Sequence, residues 1–581
     1  MVIFKRFVSN YPYFCRKLKI DCNKYKIDKH KNNISATKIF NYMNNNPLLD
    51  WLDLYHSQND KVRDEFSVFL KEQGNLFEEK IVKIIQDKGN NVVRVSDKYS
   101  SETVKTTIKY MKEGIPIIHS APIFNEDNNT YGIIDILIRS DYINKLFNER
   151  VLDENLEKFR APNLNGNYHY LVIDIKYKTI NLRNNGIHII NTNNIQSYKG
   201  QIYIYNQAIS KIQGYNSNIG FILGNRYKYS KDGIKYTDNN PLSRLGTIDY
   251  TSIDKNIPKR VNKAIKWYKE LKKSGKDWDI NNPSRIELYP NLKKDNGEWS
   301  YIVNNLAKNN NDITMIWNCG KKNRDIAISK DVKNWNDNKC TTKILGFENS
   351  LQENIISNIL EINKNIDNFI KPDILSEISK ELIKNNDNEI FLDFETFQDF
   401  ENNNNSIVFL IGVYHYDCNL EKYIYKKFLI DTIDSEKNNI QDFLNFYKSL
   451  ENPKIFYWYA EKNIWKNNIL KKYPEFSNII VESDFIDIYR IFRQEPIVIK
   501  GCFNYGLKTI SQKMNEHNMI NISLDTNCKS GRDAMLHAYK VYKNKMTSES
   551  DKILKDITDY NKFDVEALYQ ILNFLRKNYK V

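Results

Sequence analysis

Two groups of acidic residues sit inside apolar runs of this chain, where an ionised carboxylate is costly unless a partner compensates it. In HYLVIDIKYK, Asp174 and Lys176 are two apart and share one face of a strand, and in YGIIDILIRS Asp135 shares its face with Ile133 and Leu137. Two carboxylates from adjacent strands can hold Mg²⁺, with waters in its remaining positions. A lysine beside them can orient an attacking water and stabilise charge developing on phosphorus. Gln201 and Tyr205 are four apart on an expected helix and project together, while Glu78 interrupts an apolar helix flank at 78, 81 and 85. The second group is Asp393 and Glu395, on one face of the strand FLDFETF, with Tyr560 and Asp564 on one helical face of YNKFD. Taken singly, D-I-K also fits an edge-strand salt bridge, Q-x-x-x-Y a helix-surface pair, and D-x-E or Y-x-x-x-D a structural role. Order, spacing and element context together point to phosphodiester chemistry.

The elements that must carry these residues follow from periodicity. Helices are expected from Ser35 through ATKIFNYMNNNPLLDWLDLY and over roughly 62–87, the latter with Phe66, Phe69, Leu70, Phe77, Ile81, Ile84 and Ile85 along one face. GIPIIHSAPIF, YGIIDILIRS and HYLVIDIKYK read as strands, 197–212 as a helix, 218–223 as a short strand and 258–273 as a basic helix. The chain then divides into a basic, disordered arm at 1–33, an α/β domain at 34–290, a helical connector without clear strands at 291–385, and a second α/β domain at 386–581. In the second, EIFLDFETF, IVFLIGVYHY and YIYKKFLI are sheet strands, followed by helices.

G-I-I-D at 132–135, D-I-K at 174–176 and Q-I-Y-I-Y at 201–205 resemble the motifs of the RecB-like branch of the PD-(D/E)XK nucleases. SATKIFNYMNNNPLLDWLDL, IKYMKEGIPIIHSAPIF and KWYKELKKSGKDW add to the resemblance, which covers most of 34–290. It implies a restriction-endonuclease-like fold, with Asp135 and Asp174 as metal ligands, Lys176 as the catalytic lysine and Glu78 at the helical acidic position. Gln201 and Tyr205 would shape the site or contact DNA. Many such nucleases carry a His near the first motif, where this chain has Phe77 before Glu78. Some relatives hold an iron–sulfur cluster through cysteines, and none is suitably placed here, so no cluster is expected.

D-F-E at 393–395 and Y-N-K-F-D at 560–564 resemble the first and last motifs of DEDD exonucleases of the RNase H-like fold, and the match over 386–581 is similar to the YprB-type family. The resemblance implies a two-metal site of Mg²⁺ or Mn²⁺ held by Asp393, Glu395, Glu461 and Asp564, with Tyr560 positioning the water. In such sites the two ions stand roughly 3.5–4 Å apart. Glu461, in KIFYWYAEKNIW, replaces the usual middle Asp, and Asp487 in DFIDIYRIF is the alternative. YGLKTISQKM at 505–514 also matches. Between the domains, DITMIWNCGKKNRDIAISKDVKNWND resembles a degenerate helix-hairpin-helix, in which amides at Gly320 would face a DNA phosphate and Lys321, Lys322 and Arg324 would add charge. A plain packing hairpin fits equally.

The bulk numbers agree with this class. At 581 residues two to four domains are expected, with 41% hydrophobic residues, 38 Tyr and 28 Phe as core material. A net charge of +14 favours polyanionic partners. Seven cysteines without a C-x-x-C pair exclude a disulfide framework or zinc ribbon and indicate a reducing intracellular compartment, cytoplasm or nucleus. No apolar run reaches membrane-spanning length, and the acid-free start, MVIFKRFVSNYPYFCRKLK, faintly resembles a mitochondrial transit peptide but reads better as a basic arm. Asn tracts read as loop insertions. The expected function is metal-dependent hydrolysis of DNA, single- or double-stranded, in replication, repair or recombination, with RNA an alternative substrate of the C-terminal module. No Walker A motif is present, so any helicase would be a separate protein. The competing reading is a nucleic-acid-binding scaffold with one or both sites inactive, favoured by Phe77 and Glu461.

Overall fold

The computed structural model describes residues 33–192, 194–365, 367–399, 405–543 and 550–581. The arm expected at 1–33, with Cys15 and Cys22, lies outside them except for its last residue. The chain separates into two compact units, one ending at Val303 and the other beginning at Asn304.

In the first unit the Ile- and Val-rich runs form one sheet of eight strands. These are β1 (Ile34–Ser35), β2 (Val92–Arg94), β3 (Ile117–Asn125), β4 (Thr130–Arg139), β5 (Tyr170–Asn181), β6 (Ile219–Lys231), β7 (Ile234–Asp238) and β8 (Gly246–Asp249). The order is β2-β3-β4-β5-β6-β7, with β1 on β4 and β8 on β6. β3–β4 and β4–β5 pair antiparallel, whereas β2–β3, β1–β4 and β5–β6 pair parallel. Helix α1 (Glu65–Asp87) starts where the Asp64 carboxylate accepts the Ser67 amide at 3.1 Å, and it buries Phe69, Phe77, Ile81 and Ile85. Leu70, expected on that face, is exposed. α2 (Ser101–Glu113) ends on left-handed Gly114, and α3 (Ile195–Gln213) carries the Gln201–Tyr205 pair. α4 (Ile257–Ser274) buries Val261, Ile265, Tyr268 and Leu271 while Lys259, Lys263, Lys266 and Lys273 face solvent.

The helix expected from Ser35 is broken. Ser35 caps a 3₁₀ turn at Ala36–Ile39, a short helix follows at Phe40–Met43, and a new one begins only at Leu48–Tyr55. The tract between them stops the helix for local reasons: Asn45 adopts a left-handed φ of 63°, and Pro47 has no amide hydrogen to donate.

The second unit is built on five strands in the order β12-β11-β10-β13-β14, together with a separate pair β9–β15. Their bounds are β9 (Ile370–Lys371), β10 (Glu389–Asp399), β11 (Asn405–Asp417), β12 (Lys422–Leu429), β13 (Lys454–Tyr457), β14 (Phe485–Asp487) and β15 (Val498–Ile499). β11 runs antiparallel to both β12 and β10, and β13 and β14 add in parallel. Strand alternation in β10 makes two cores. Ile390, Leu392 and Phe394 pack with Phe443 and Leu444 of α7 (Glu436–Lys448), after α5 (Lys321–Ser329) and α6 (Glu353–Lys364) in the chain. Phe391, of opposite parity, packs with Val565, Leu568 and Leu572 of α10 (Ser550–Tyr579), which follows α8 (Ile488–Gln494) and α9 (Leu507–Glu516). Each fully buried Ile, Leu or Phe contributes about 1.5–3 kcal/mol.

Residues of the expected connector share that second core: Ile313, Ile316, Ala327, Ile355, Ile356 and Ile359 are buried with Phe391 and α10. The segment also contains a strand, β9, which pairs antiparallel with β15. No helix among the described residues is long and apolar enough to cross a membrane.

Candidate functional site

In the first unit, β4 and β5 are paired as far as Ile136 and Ile173, and the next residues along are Asp135 and Asp174. There the ladder gives way to side chains, and Asp135 Oδ2 accepts the Ile175 amide at 2.7 Å. Lys176 Nζ stands 2.6 Å from Asp174 Oδ2 and 4.0 Å from Asp135 Oδ2. Burial raises both aspartate pKa values, and Glu78 pushes both further up, so Glu78 shares their field. Burial alone would lower Lys176, but Asp174 and Asp135 outweigh it and hold the ammonium above its ordinary value. Asp174 is 1% exposed, and its Oδ1 has no hydrogen-bond partner among the described residues. An orphaned carboxylate oxygen beside a second carboxylate suits a hard divalent cation, so these residues fit Mg²⁺ or Mn²⁺.

α3 closes one side of this cluster. Gln201 Nε2 donates to the Tyr205 hydroxyl at 2.6 Å, and both side chains are buried. The Tyr205 ring lies where a Cβ on Gly132 would be, which explains the glycine in G-I-I-D. The structure adds a residue not singled out by spacing. His119 of β3 places Nε2 3.0 Å from Glu78 Oε1, supplying an imidazole beside Glu78 although Phe77 precedes it. A lone titratable residue in the apolar run IIHSAPIF was the available signal.

In the second unit, Asp393 and Glu395 have the parity of Phe391 and therefore face α10. Ligand oxygens of Asp393, Glu395 and Asp564 all lie within 4.8 Å of one another. The β10–β11 register shifts at Glu395/Thr396, a bulge that re-aims the strand beside the cluster. Burial, then mutual repulsion, raises Glu395 and Asp564, and burial raises Asp393. Asp564 Oδ1 is buried without a hydrogen-bond partner among the described residues, so this donor set also fits a divalent cation. Tyr560 is buried one turn before Asp564, and burial and then the Asp564 charge raise its pKa.

Glu461 begins a single helical turn after β13 and is 4% exposed. Burial and then the nearby Asp393 charge raise its pKa, so it shares the field of the three-carboxylate group without belonging to it. Asp487, the alternative, caps α8 instead, its Oδ1 accepting the Arg490 and Tyr459 amides at 3.2 Å each. Two further residues join the cluster. Asn561 Nδ2 donates to Asp393 Oδ2 at 2.6 Å, and Lys508 of α9 stands 3.4 Å from the Tyr560 ring centre. Burial lowers the Lys508 pKa while Asp564, Glu395 and Asp393 hold it up. Asn561 was detectable as the i−3 neighbour of Asp564, and Lys508 lies in the segment YGLKTISQKM.

The turn at Gly320 differs from the expected phosphate cradle. The Gly320 amide already donates to Asn323 Oδ1 at 3.0 Å as the cap of α5. Arg324 is 1% exposed, and its guanidinium is committed to Asp325, with Nη2–Oδ1 at 3.1 Å. Lys321 also pairs with Asp325, which leaves Lys322 as the exposed cation of the three. Arg324 therefore anchors the segment inward, because buried Asp312 and neighbouring Asp325 attract it.

Residues 390–576 match the family model RNase_H_2 of the RNase H superfamily. No curated protein matches the chain. The second unit thus carries an RNase H-like domain, of the nuclease type that processes nucleic acids.

Proposed function

We propose that the chain is a metal-dependent nuclease with two hydrolytic modules acting on DNA in replication, repair or recombination. The observation that carries this reading is the convergence of Asp393, Glu395 and Asp564 inside the RNase H-like region. In that module Asp393, Glu395 and Asp564 would hold Mg²⁺ or Mn²⁺, with Glu461 against Asp393. In the other, of RecB-like PD-(D/E)XK type, Asp135, Asp174 and Glu78 would do so. A bound ion supplies positive charge that makes water a better nucleophile and offsets charge on the phosphoryl oxygens.

The remaining roles belong to the chain's own side chains. Asn561 fixes the rotamer of Asp393, and Tyr560, one helical turn from Asp564, would present its hydroxyl to the water. Lys508 stays close enough to share the cluster's negative charge. Lys176, held protonated by its two aspartates, is the fixed cation of the first module. RNA remains a second substrate for the C-terminal module, since no contact here distinguishes sugars.

The test is cleavage of labelled single- and double-stranded DNA and RNA by the full chain in Mg²⁺, Mn²⁺ or EDTA. Asp174→Asn and Asp393→Asn should each remove part of a metal-dependent activity, and the double variant all of it. Absence of metal-dependent cleavage above the double variant would leave a binding or scaffold protein. Loss of all activity in Asp174→Asn alone would make the C-terminal module accessory.

A further inference from the structure

Tyr459 lies two residues before Glu461, at a φ of 78°, in the left-handed region that a residue bearing a Cβ seldom occupies. Tyr459 is 61% exposed, although Tyr457 two residues before it is buried. The Tyr459 amide is held by Asp487 Oδ1 at 3.2 Å, and its ring meets Tyr489 edge-on at 4.9 Å. Arg493 continues the row, with its guanidinium 5.6 Å from the Tyr489 ring centre and 5.0 Å from that of Trp317. Arg493 is exposed, and no carboxylate pairs with it among the described residues. The row therefore starts two residues from Glu461, the first residue of the turn after β13, and continues through the Tyr489 ring to Arg493.

We propose that Tyr459, Tyr489 and Arg493 receive the unpaired end of a nucleic-acid strand, a base stacking on Tyr459 and a phosphate resting on Arg493. The chemistry selects this occupant. Every base offers a π-face to an exposed ring, whereas bases within a duplex already stack on each other. A guanidinium stacked on rings but without a carboxylate partner among the described residues suits a backbone phosphate. The strain at Tyr459 holds the ring out of the core, where a relaxed backbone would let it collapse. Strain of this kind persists where the surroundings enforce it, here the Asp487 carboxylate. The inference uses the nuclease reading for the direction of the strand but not for the binding itself.

The experiment is fluorescence anisotropy of the full chain with short labelled oligo-dT, oligo-rU, an abasic oligomer of equal length and a blunt duplex, all in EDTA. Tyr459→Gly removes the ring and relieves the φ, so the fold should persist, as circular dichroism would report. It should weaken oligo-dT binding roughly five- to hundred-fold and abolish the preference for oligo-dT over the abasic strand. Duplex binding should stay unchanged, and Tyr459→Trp should retain the preference. Arg493→Ala should weaken oligo-dT and abasic strand alike and flatten the salt dependence. Equal responses of oligo-dT and oligo-rU mean that both sugars are accepted, while a response of only one names the polymer. Wild-type oligo-dT affinity in Tyr459→Gly overturns the proposal, as does equal wild-type affinity for oligo-dT and the abasic strand. A chain that binds in this manner yet cleaves nothing would refute the nuclease reading alone. Metal-dependent cleavage with unaltered Tyr459→Gly binding would refute only the strip.

Discussion

The Asn561 side-chain oxygen occupies the position that a Cβ on Gly412 would take, so strand β11 must carry glycine opposite Asp393. The close approach lets one amide serve the site from both ends. Its Nδ2 donates to Asp393 Oδ2 at 2.6 Å, and its Oδ1 accepts from the Tyr425 hydroxyl at 2.9 Å. Gly412→Ala should push Asn561 off Asp393 and cost about 1–3 kcal/mol by overpacking. Urea titration should register that loss, and cleavage by the C-terminal module should fall with it while Asp174-dependent cleavage persists.

Lys508 faces Tyr560 and the three carboxylates with no carboxylate at salt-bridge distance among the described residues, and its Nζ donates to the Lys529 carbonyl at 3.0 Å. Lys508→Met should lower C-terminal kcat by about 10–100-fold with KM little changed, because the lost charge matters most when charge develops on phosphate. A proportional rise in KM instead would make Lys508 a substrate-binding residue.

Lys176 stands between two buried carboxylates, 2.6 Å from Asp174 Oδ2 and 4.0 Å from Asp135 Oδ2. Lys176→Met should therefore reduce cleavage by the first module at least about 100-fold, measured in an Asp393→Asn background. Lys176→Arg should rescue little of it, since the planar fork is larger and cannot reproduce a point charge.

Asp50 provides a pH signature away from either site. It is buried, accepting from Trp267 Nε1 at 2.9 Å and Asn41 Nδ2 at 2.8 Å, and burial lifts its pKa from 3.8 to about 7. The folded state then holds a proton that the unfolded state releases, so stability falls as pH rises from about 4 to about 7 and levels off above. The full loss is at most about 4 kcal/mol for a shift of this size. Asp50→Asn should flatten the Tm-against-pH curve across that window. An unchanged slope would assign the pH dependence to other groups.

Much of the architecture was legible locally. Period-two alternation placed Asp393 with Glu395 and Asp174 with Lys176, and the i, i+4 rule placed Tyr560 with Asp564, because these relations depend only on strand pleat and helical turn. Local rules misjudged positions where side chains competed with the backbone. The NNNP tract broke a continuous helical pattern, Asn323 took the Gly320 amide, and Asp325 drew Arg324 inward.

From its sequence alone the chain is an α/β protein whose acids stand in pairs on strands and helices. Which acids converge was decided by tertiary structure. Glu461 enters the field of Asp393 while Asp487 caps a helix, although each comes at or just after the end of a short strand. His119 reaches Glu78 across 41 residues, and Asn561 reaches Asp393 across 168. Contacts of that separation leave no periodic trace, since they are fixed by sheet order and helix packing and not by the geometry of any one element.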